Sequence, residues 1–164
     1  TMREEIGGGA FNALRNAVRR GVAGSMVSLR GGDAAGESVA RAIEAAGIKD
    51  LSATFLDRGT PSYTALIDNE GEVIAGLADM ALYELFAKQI IRRAIRAAIQ
   101  SADAILADAN LPEAALARIA ISATERTATS AIEKPIFAMA ISPAKVGRLA
   151  TVLPSLSVLF MNRR

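Results

Sequence analysis

Residues Ile6–Gly36 read IGGGAFNALRNAVRRGVAGSMVSLRGGDAAG. Three glycines lead directly into Ala10–Arg20, where Phe11, Leu14 and Val18 fall on one helical face and Gly21 supplies a C-terminal stop. Ser25–Leu29 then reads as a short buried strand, and Arg30–Gly36 as a second glycine turn. Glu37–Ala46 returns to helical period with Val39, Ile43 and Ala46 inward, and Gly47 ends it. Two glycine turns, one helix and one strand apart, point to a small-molecule site built from backbone.

Composition narrows what such a site can do. The chain has 164 residues, enough for one domain with its own core. It is 51% hydrophobic with only 4% aromatics and no Trp, so Ala, Ile, Leu and Val must fill the core. Such a core favours layered α/β packing. A net charge of +2 is too small to indicate nucleic acid. The local clusters Arg15, Arg19, Arg20 and Arg92, Arg93, Arg96 read as solvated helix faces. With neither Cys nor His, the chain cannot form disulfides, thiolate nucleophiles, Ser-His-Asp triads or the usual zinc sites. No signal peptide and no apolar run of membrane length is visible, so a cytoplasmic protein without membrane contact is expected.

Outward from the opening unit, Leu51–Leu56 and Tyr63–Ile67 are strand-like, and Val73–Leu77 answers them across Asp68-Asn69-Glu70-Gly71. Asn69 and Gly71 suit the positive φ of a hairpin turn. These strands, over about 51–78, are expected to form an antiparallel flap or lid inserted into an α/β core. From Met80 the helical period returns, with Leu82, Leu85, Phe86, Ile91 and Ile95 at core spacing over Ala81–Phe86 and Ile90–Ile99. Ala104–Ala107, Ile136–Ile141 and Val158–Met161 read as buried strands. Pro112 opens the helix between the first two, and Ser142-Pro143 opens another over Ala144–Leu149. Strand and helix alternating from 103 onward predict a parallel sheet.

The glycine turn fails two phosphate-cradle tests. It lacks the Gly-Lys-Ser/Thr of a P-loop, and Asn12 stands where the dinucleotide fingerprint needs its third glycine. What remains is Gly7-Gly8-x-x-x-Asn12 opening a helix, which suits a sugar hydroxyl because an amide both donates and accepts. An equally good reading is a tight turn with Asn12 satisfying backbone. Asp33 either accepts from ligand hydroxyls or caps the helix at Glu37, with capping favoured by the residues alone. Asp108 and Asn110 follow a strand's C-terminal end, where open α/β sheets bind ligands, but an Asx turn explains them as well. Lys145 reads as a solvated helix residue.

In order and spacing, these segments resemble the ribokinase-like PfkB family of carbohydrate kinases. Gly7-Gly8-x-x-x-Asn12-Ala13 followed by Arg19-x-Gly21 is similar to that family's first signature. Gly32-Asp33-x-x-Gly36 and the helix ending Ala46-Gly47-Ile48 come next, as the family expects. Thr60-Pro61-Ser62-Tyr63 and its hairpin resemble the family's sugar-covering lid, and Asp108-Ala109-Asn110-Leu111-Pro112 its Asp-x-Asn strand end. Lys134-Pro135-Ile136-Phe137, Ser142-Pro143-Ala144-Lys145 and Leu159-Phe160-Met161-Asn162 match later segments. Ile67–Glu72 and Gly76–Met80 look closest to the pseudouridine-kinase-like branch.

The resemblance implies a Rossmann-like three-layer ribokinase fold with an antiparallel β lid, and transfer of the ATP γ-phosphoryl group to a sugar or nucleoside hydroxyl with Mg²⁺. It implies that Gly7, Gly8 and Asn12 hold the sugar with Asp33 beside it, and that Asp108, Asn110 and Asn162 lie on the substrate or phosphate side. The family's opening strand with its substrate-binding Asp has no counterpart here, nor does anything past Asn162, including the Gly-Ala-Gly-Asp turn with the catalytic base. Residues 1–164 are therefore expected to be one incomplete kinase domain, with its base beyond Arg164 and no phosphorylating activity alone. A homodimer through the lid is a further expectation. The alternatives are a non-catalytic sugar- or nucleoside-binding α/β module and an unrelated α/β domain whose glycine turn is structural.

Overall fold

The computed structural model describes residues 3–124, 134–140 and 143–161. The first helix, α1 (Gly9–Val18), starts after Gly8, whose φ of 108° belongs to the region that favours glycine. The turn after it is completed at Gly21, φ 91°. There the Gly21 and Val22 N–H groups close back on the carbonyls of Val18 and Ala17, at 2.9 and 3.2 Å. The strand expected at Ser25–Leu29 runs as β1 (Ser25–Met26) and β2 (Leu29–Gly31). The second helix, α2 (Ala34–Ala45), then crosses back to β3 (Lys49–Asp50) and β4 (Ala53–Phe55).

These four pieces are one interrupted ladder. Both pairs are parallel and keep one register, Ser25 opposite Lys49 and Gly31 opposite Phe55. In the gap the Ser28 N–H donates to Ser52 Oγ at 3.1 Å, so a side chain replaces the main-chain partner. Ala53–Phe55 therefore pairs with the core strand β2 rather than starting a lid, and Leu56 after it is exposed. The helical crossover through α2 returns the chain parallel to its first strand, and a short apolar run does not reveal which partner it will pair with. The insertion narrows to the hairpin of β5 (Ser62–Ile67) and β6 (Val73–Asp79), antiparallel with an irregularity between Leu66 and Ile67. At its turn Asp68 Oδ1 accepts from the N–H groups of Glu70 and Glu72, each at 2.9 Å. Gly71 takes the positive φ there, and Asn69 does not.

A 3₁₀ turn (Ala81–Leu85), α3 (Phe86–Ile90) and α4 (Arg93–Ser101) follow. Arg92, with ψ 136°, breaks the helical run that the periodicity predicts. Ile91, expected in the core, is 52% exposed beside that break. Then come β7 (Ile105–Asp108), α5 (Glu113–Thr124), β8 (Ile136–Ala140), 3₁₀ turns at Pro143–Leu149 and Leu153–Ser155, and β9 (Val158–Met161). The order β7-β8-β9 is parallel throughout, with Ile105 opposite Ile136 and Phe137 opposite Val158.

Along β8, Ile136, Ala138 and Ala140 are buried while the intervening residues are half-buried. These three belong to the main core with Phe86, Ile90, Leu116 and Leu149. Fully burying a side chain the size of Ile, Leu or Phe contributes about 1.5–3 kcal/mol. A smaller cluster of Phe11, Ile43 and Ile48 joins α1 to α2. The chain is a mixed α/β fold with small sheets, and the C-terminal strand ends carry its polar turns.

Candidate functional site

Gly7 and Gly8 are exposed, and neither has any atom within 4 Å of where a Cβ would stand. Open space therefore lies against the backbone at the start of α1. One turn in, Asn12 is half-buried, with its N–H on the Gly8 carbonyl at 3.0 Å. Its Oδ1 accepts from Arg15 Nη2 at 3.1 Å. That arginine is not the solvated residue its cluster predicts. Its guanidinium carbon stands 5.3 Å from the centre of the Phe11 ring, and its Nε is buried without a hydrogen-bond partner. The acceptor half of Asn12 is engaged, so the amide faces its surroundings mainly as a donor.

Asp33 is the N-cap of α2, its Oδ1 accepting from the Gly36 N–H at 2.8 Å. The same oxygen accepts the Thr60 hydroxyl, and Oδ2 accepts the Thr60 N–H at 2.8 Å. Thr60 Oγ1 in turn accepts from the Gly31 N–H at 3.0 Å. The glycines of this turn are required by close approach: a Cβ on Gly36 would stand 2.1 Å from the Gly31 carbonyl oxygen, and one on Gly31 2.3 Å from that of Arg58. The Thr60 hydroxyl, the Thr60 N–H and the Gly36 N–H, in that order of weight, lower the Asp33 carboxyl to about 2. Sequence reasoning left capping and ligand binding open for Asp33. Its geometry is that of a cap that also ties down the base of the hairpin.

At the end of β7, Asp108 Oδ1 accepts from the Asn110 N–H at 2.9 Å, the Asx turn that the residues allowed. Two cations then converge on Asn110. Lys145 Nζ donates to its Oδ1, and Arg148 Nη1 to its carbonyl oxygen at 3.1 Å. Lys145 is thus half-buried and engaged, not a solvated helix residue. Tyr83, which sequence reasoning passed over, also reaches this end of the sheet. Burial raises its hydroxyl pKa, the Asp108 charge adds to that, and a hydrogen bond with Ser28 opposes it. Inside an apolar helical stripe a tyrosine gives no signal of such a role. The arrangement brings Asp108, Asn110 and Lys145 together, and α1 packs against β7, so the glycine turn is on a neighbouring element. Asn162, after β9, lies outside the described residues, as does Ser142 after β8. Among the described residues no group of three His, Cys, Asp or Glu side chains could hold a metal ion.

Polar turns at the C-terminal ends of parallel strands, beside a glycine-opened helix and an antiparallel hairpin, stand where α/β folds bind small molecules. The chain belongs to the pfkB family of carbohydrate kinases, whose profile matches residues 1–164. A carbohydrate kinase from Agrobacterium tumefaciens is 47% identical at a TM-score of 0.83, over 95% of this chain and 49% of that one. Adenosine kinase from Anopheles gambiae is 16% identical at 0.78, over 95% and 48%. Adenosine kinase from Trypanosoma brucei brucei is 16% identical at 0.71, over 93% and 47%. The adenosine kinases share the fold. The chain spans about half the length of these solved structures. Comparison with curated proteins gives no match. No helix among the described residues is long and apolar enough to cross a membrane.

Proposed function

We propose that this chain is the acceptor-holding half of a carbohydrate or nucleoside kinase that transfers the γ-phosphoryl group of ATP, with Mg²⁺, to a hydroxyl of pseudouridine or another ribosyl compound. The observation that carries this reading is the open space against Gly7 and Gly8, one turn from Asn12, in a chain of the pfkB family. Glycine lets a ligand reach the main chain, and the N–H groups at the start of α1 meet its oxygens. Gly7, Gly8 and Asn12 hold the sugar, Asp33 stabilises the turn beside it, and Asp108, Asn110 and Asn162 serve the substrate or phosphate side. The hairpin of β5 and β6 covers the acceptor and excludes water, so that phosphate passes to the sugar rather than to solvent. The described residues offer no acidic cluster for Mg²⁺.

ATP use makes the cytoplasm the working compartment. The hairpin also pairs two copies of the chain, a role supported by its apolar side chains exposed on both faces. By themselves the 164 residues bind the acceptor without phosphorylating it. Calorimetric titration with ribose, fructose, adenosine and pseudouridine tests the reading, and saturable binding of at least one is expected. Lack of heat with all four overturns it. Incubation with ATP, Mg²⁺ and the bound compound yields no phosphorylated product, and its appearance would overturn the claim of inactivity.

A further inference from the structure

Asn110 is held at three of its polar groups. Its N–H donates to Asp108 Oδ1 at 2.9 Å, its carbonyl accepts from Arg148 at 3.1 Å, and its side-chain oxygen accepts from Lys145. Only the Nδ2 amino group is left over from this set. An ammonium has three donors and no acceptor, so the amide can meet Lys145 only through Oδ1. That contact determines the flip of the amide and turns the two Nδ2 protons away from the lysine. Lys145 comes from the 3₁₀ turn after β8, 35 residues beyond Asn110, so the constraint is tertiary.

We propose that Lys145 is a positioning residue. It locks Asn110 so that the end of β7 presents donors, and Asn110 accordingly takes a ligand oxygen through that oxygen's lone pairs. The inference rests on the proposed acceptor site and names what that site recognises at this point. An oxygen of this kind comes either from the sugar or nucleoside or from a nucleotide phosphate. Arg15 does the same for Asn12 on the glycine side, where a cation again takes the amide oxygen. A donor in the ligand at the Asn110 position is refused, because two N–H groups would face each other.

The full chain is titrated with ribose, pseudouridine, adenosine and Mg·ADP, and the variants are then measured with every probe that binds. Asn110→Asp keeps the lysine contact as an ion pair but replaces donors with lone pairs. It is expected to weaken binding by about tenfold or more while the Tm holds or rises. Lys145→Met is expected to weaken the same probe by about three- to tenfold, and Lys145→Arg to restore most of it. Asn110→Ala combined with Lys145→Met binds no more weakly than Asn110→Ala alone, since the lysine acts through the amide. Losses confined to Mg·ADP assign the oxygen to phosphate, and losses with ribose or the nucleosides assign it to the acceptor.

Unchanged binding in Asn110→Asp overturns the donor face. An additive loss in the double variant overturns the positioning role, because it means that Lys145 touches the ligand itself. If the wild-type chain binds none of the four probes, the functional reading fails and the inference fails with it.

Discussion

Asp33 and Thr60, 27 residues apart, are joined through both the main chain and the side chain of Thr60. The N-cap of α2 is therefore also the anchor of the strand that enters the hairpin. Thr60→Val removes the hydroxyl that donates to Asp33 and accepts from Gly31. Each lost hydrogen bond is expected to lower the Tm of a chain this size by about 2–4 °C. Thermal denaturation followed by circular dichroism checks it, and an unchanged Tm would show that the knot contributes nothing.

The pH dependence follows from the same carboxylate. Its folded pKa of about 2 lies below the ordinary value near 4. A depressed acid contributes stability that is present above the unfolded value and is lost as pH falls through the folded one. Between about pH 4 and 2 the Tm of the wild type should fall more steeply than that of Asp33→Asn. Parallel curves for the two proteins would refute this account of Asp33.

The glycines divide into two kinds. Gly36→Ala drives a Cβ to 2.1 Å from the Gly31 carbonyl oxygen, main chain that cannot move without opening the turn. A cost of about 1–3 kcal/mol or more is expected, read as a shift in urea midpoint. Gly7→Ala meets nothing within 4 Å, so its stability should stay within about 0.5 kcal/mol of wild type. If the ligand approaches the backbone there, Gly7→Ala nonetheless weakens binding of the compound identified by calorimetry. Wild-type affinity in Gly7→Ala would exclude that approach.

Arg15 combines a buried Nε lacking a partner with a hydrogen bond to Asn12. Burying an unpaired polar group destabilises, and that offsets what the ring and amide contacts contribute. Arg15→Met should therefore leave the urea midpoint nearly unchanged while reducing ligand affinity about three- to tenfold. A large loss of stability with intact affinity would make Arg15 a structural residue only.

On the hairpin, Ile74 is 70% exposed and Leu77, on the opposite face, 69% exposed. Tyr63 shares the face of Ile74, and Leu66 that of Leu77. A two-stranded ribbon with apolar residues on both faces is marginal unless something covers it. Sedimentation equilibrium is expected to show a dimer of the wild type and a monomer of Leu77→Asp. A monomeric wild type at about 100 μM would remove the lid dimer, since an affinity of that order is weak for a specific pair.

Elements with strong periodicity were legible from residues alone. Phe11 and Val18 announce α1, Val39 and Ile43 announce α2, and Val158–Met161 is a strand within the predicted bounds. Elements whose character depends on a distant partner were not. Leu51–Leu56 has the composition of any apolar strand, and only the pairing of Ala53–Phe55 with β2 assigns that part to the core sheet. Ile91 fits the helical stripe, yet the extended backbone at Arg92 turns it outward. Lys145 looked solvated because nothing near it in the chain is acidic, whereas its partner is an amide oxygen 35 residues away.

The sequence by itself determined the family, the succession of helices and strands, and which residue types stand at the turns, because these depend on local spacing and composition. Tertiary structure decided where the hairpin begins, that Asp33 is tied to Thr60, and which way Asn110 presents its amide. Pairing and amide orientation are set by hydrogen bonds, and most of the partners are brought together only when the chain has folded. Local periodicity carries no record of which donor will meet which acceptor.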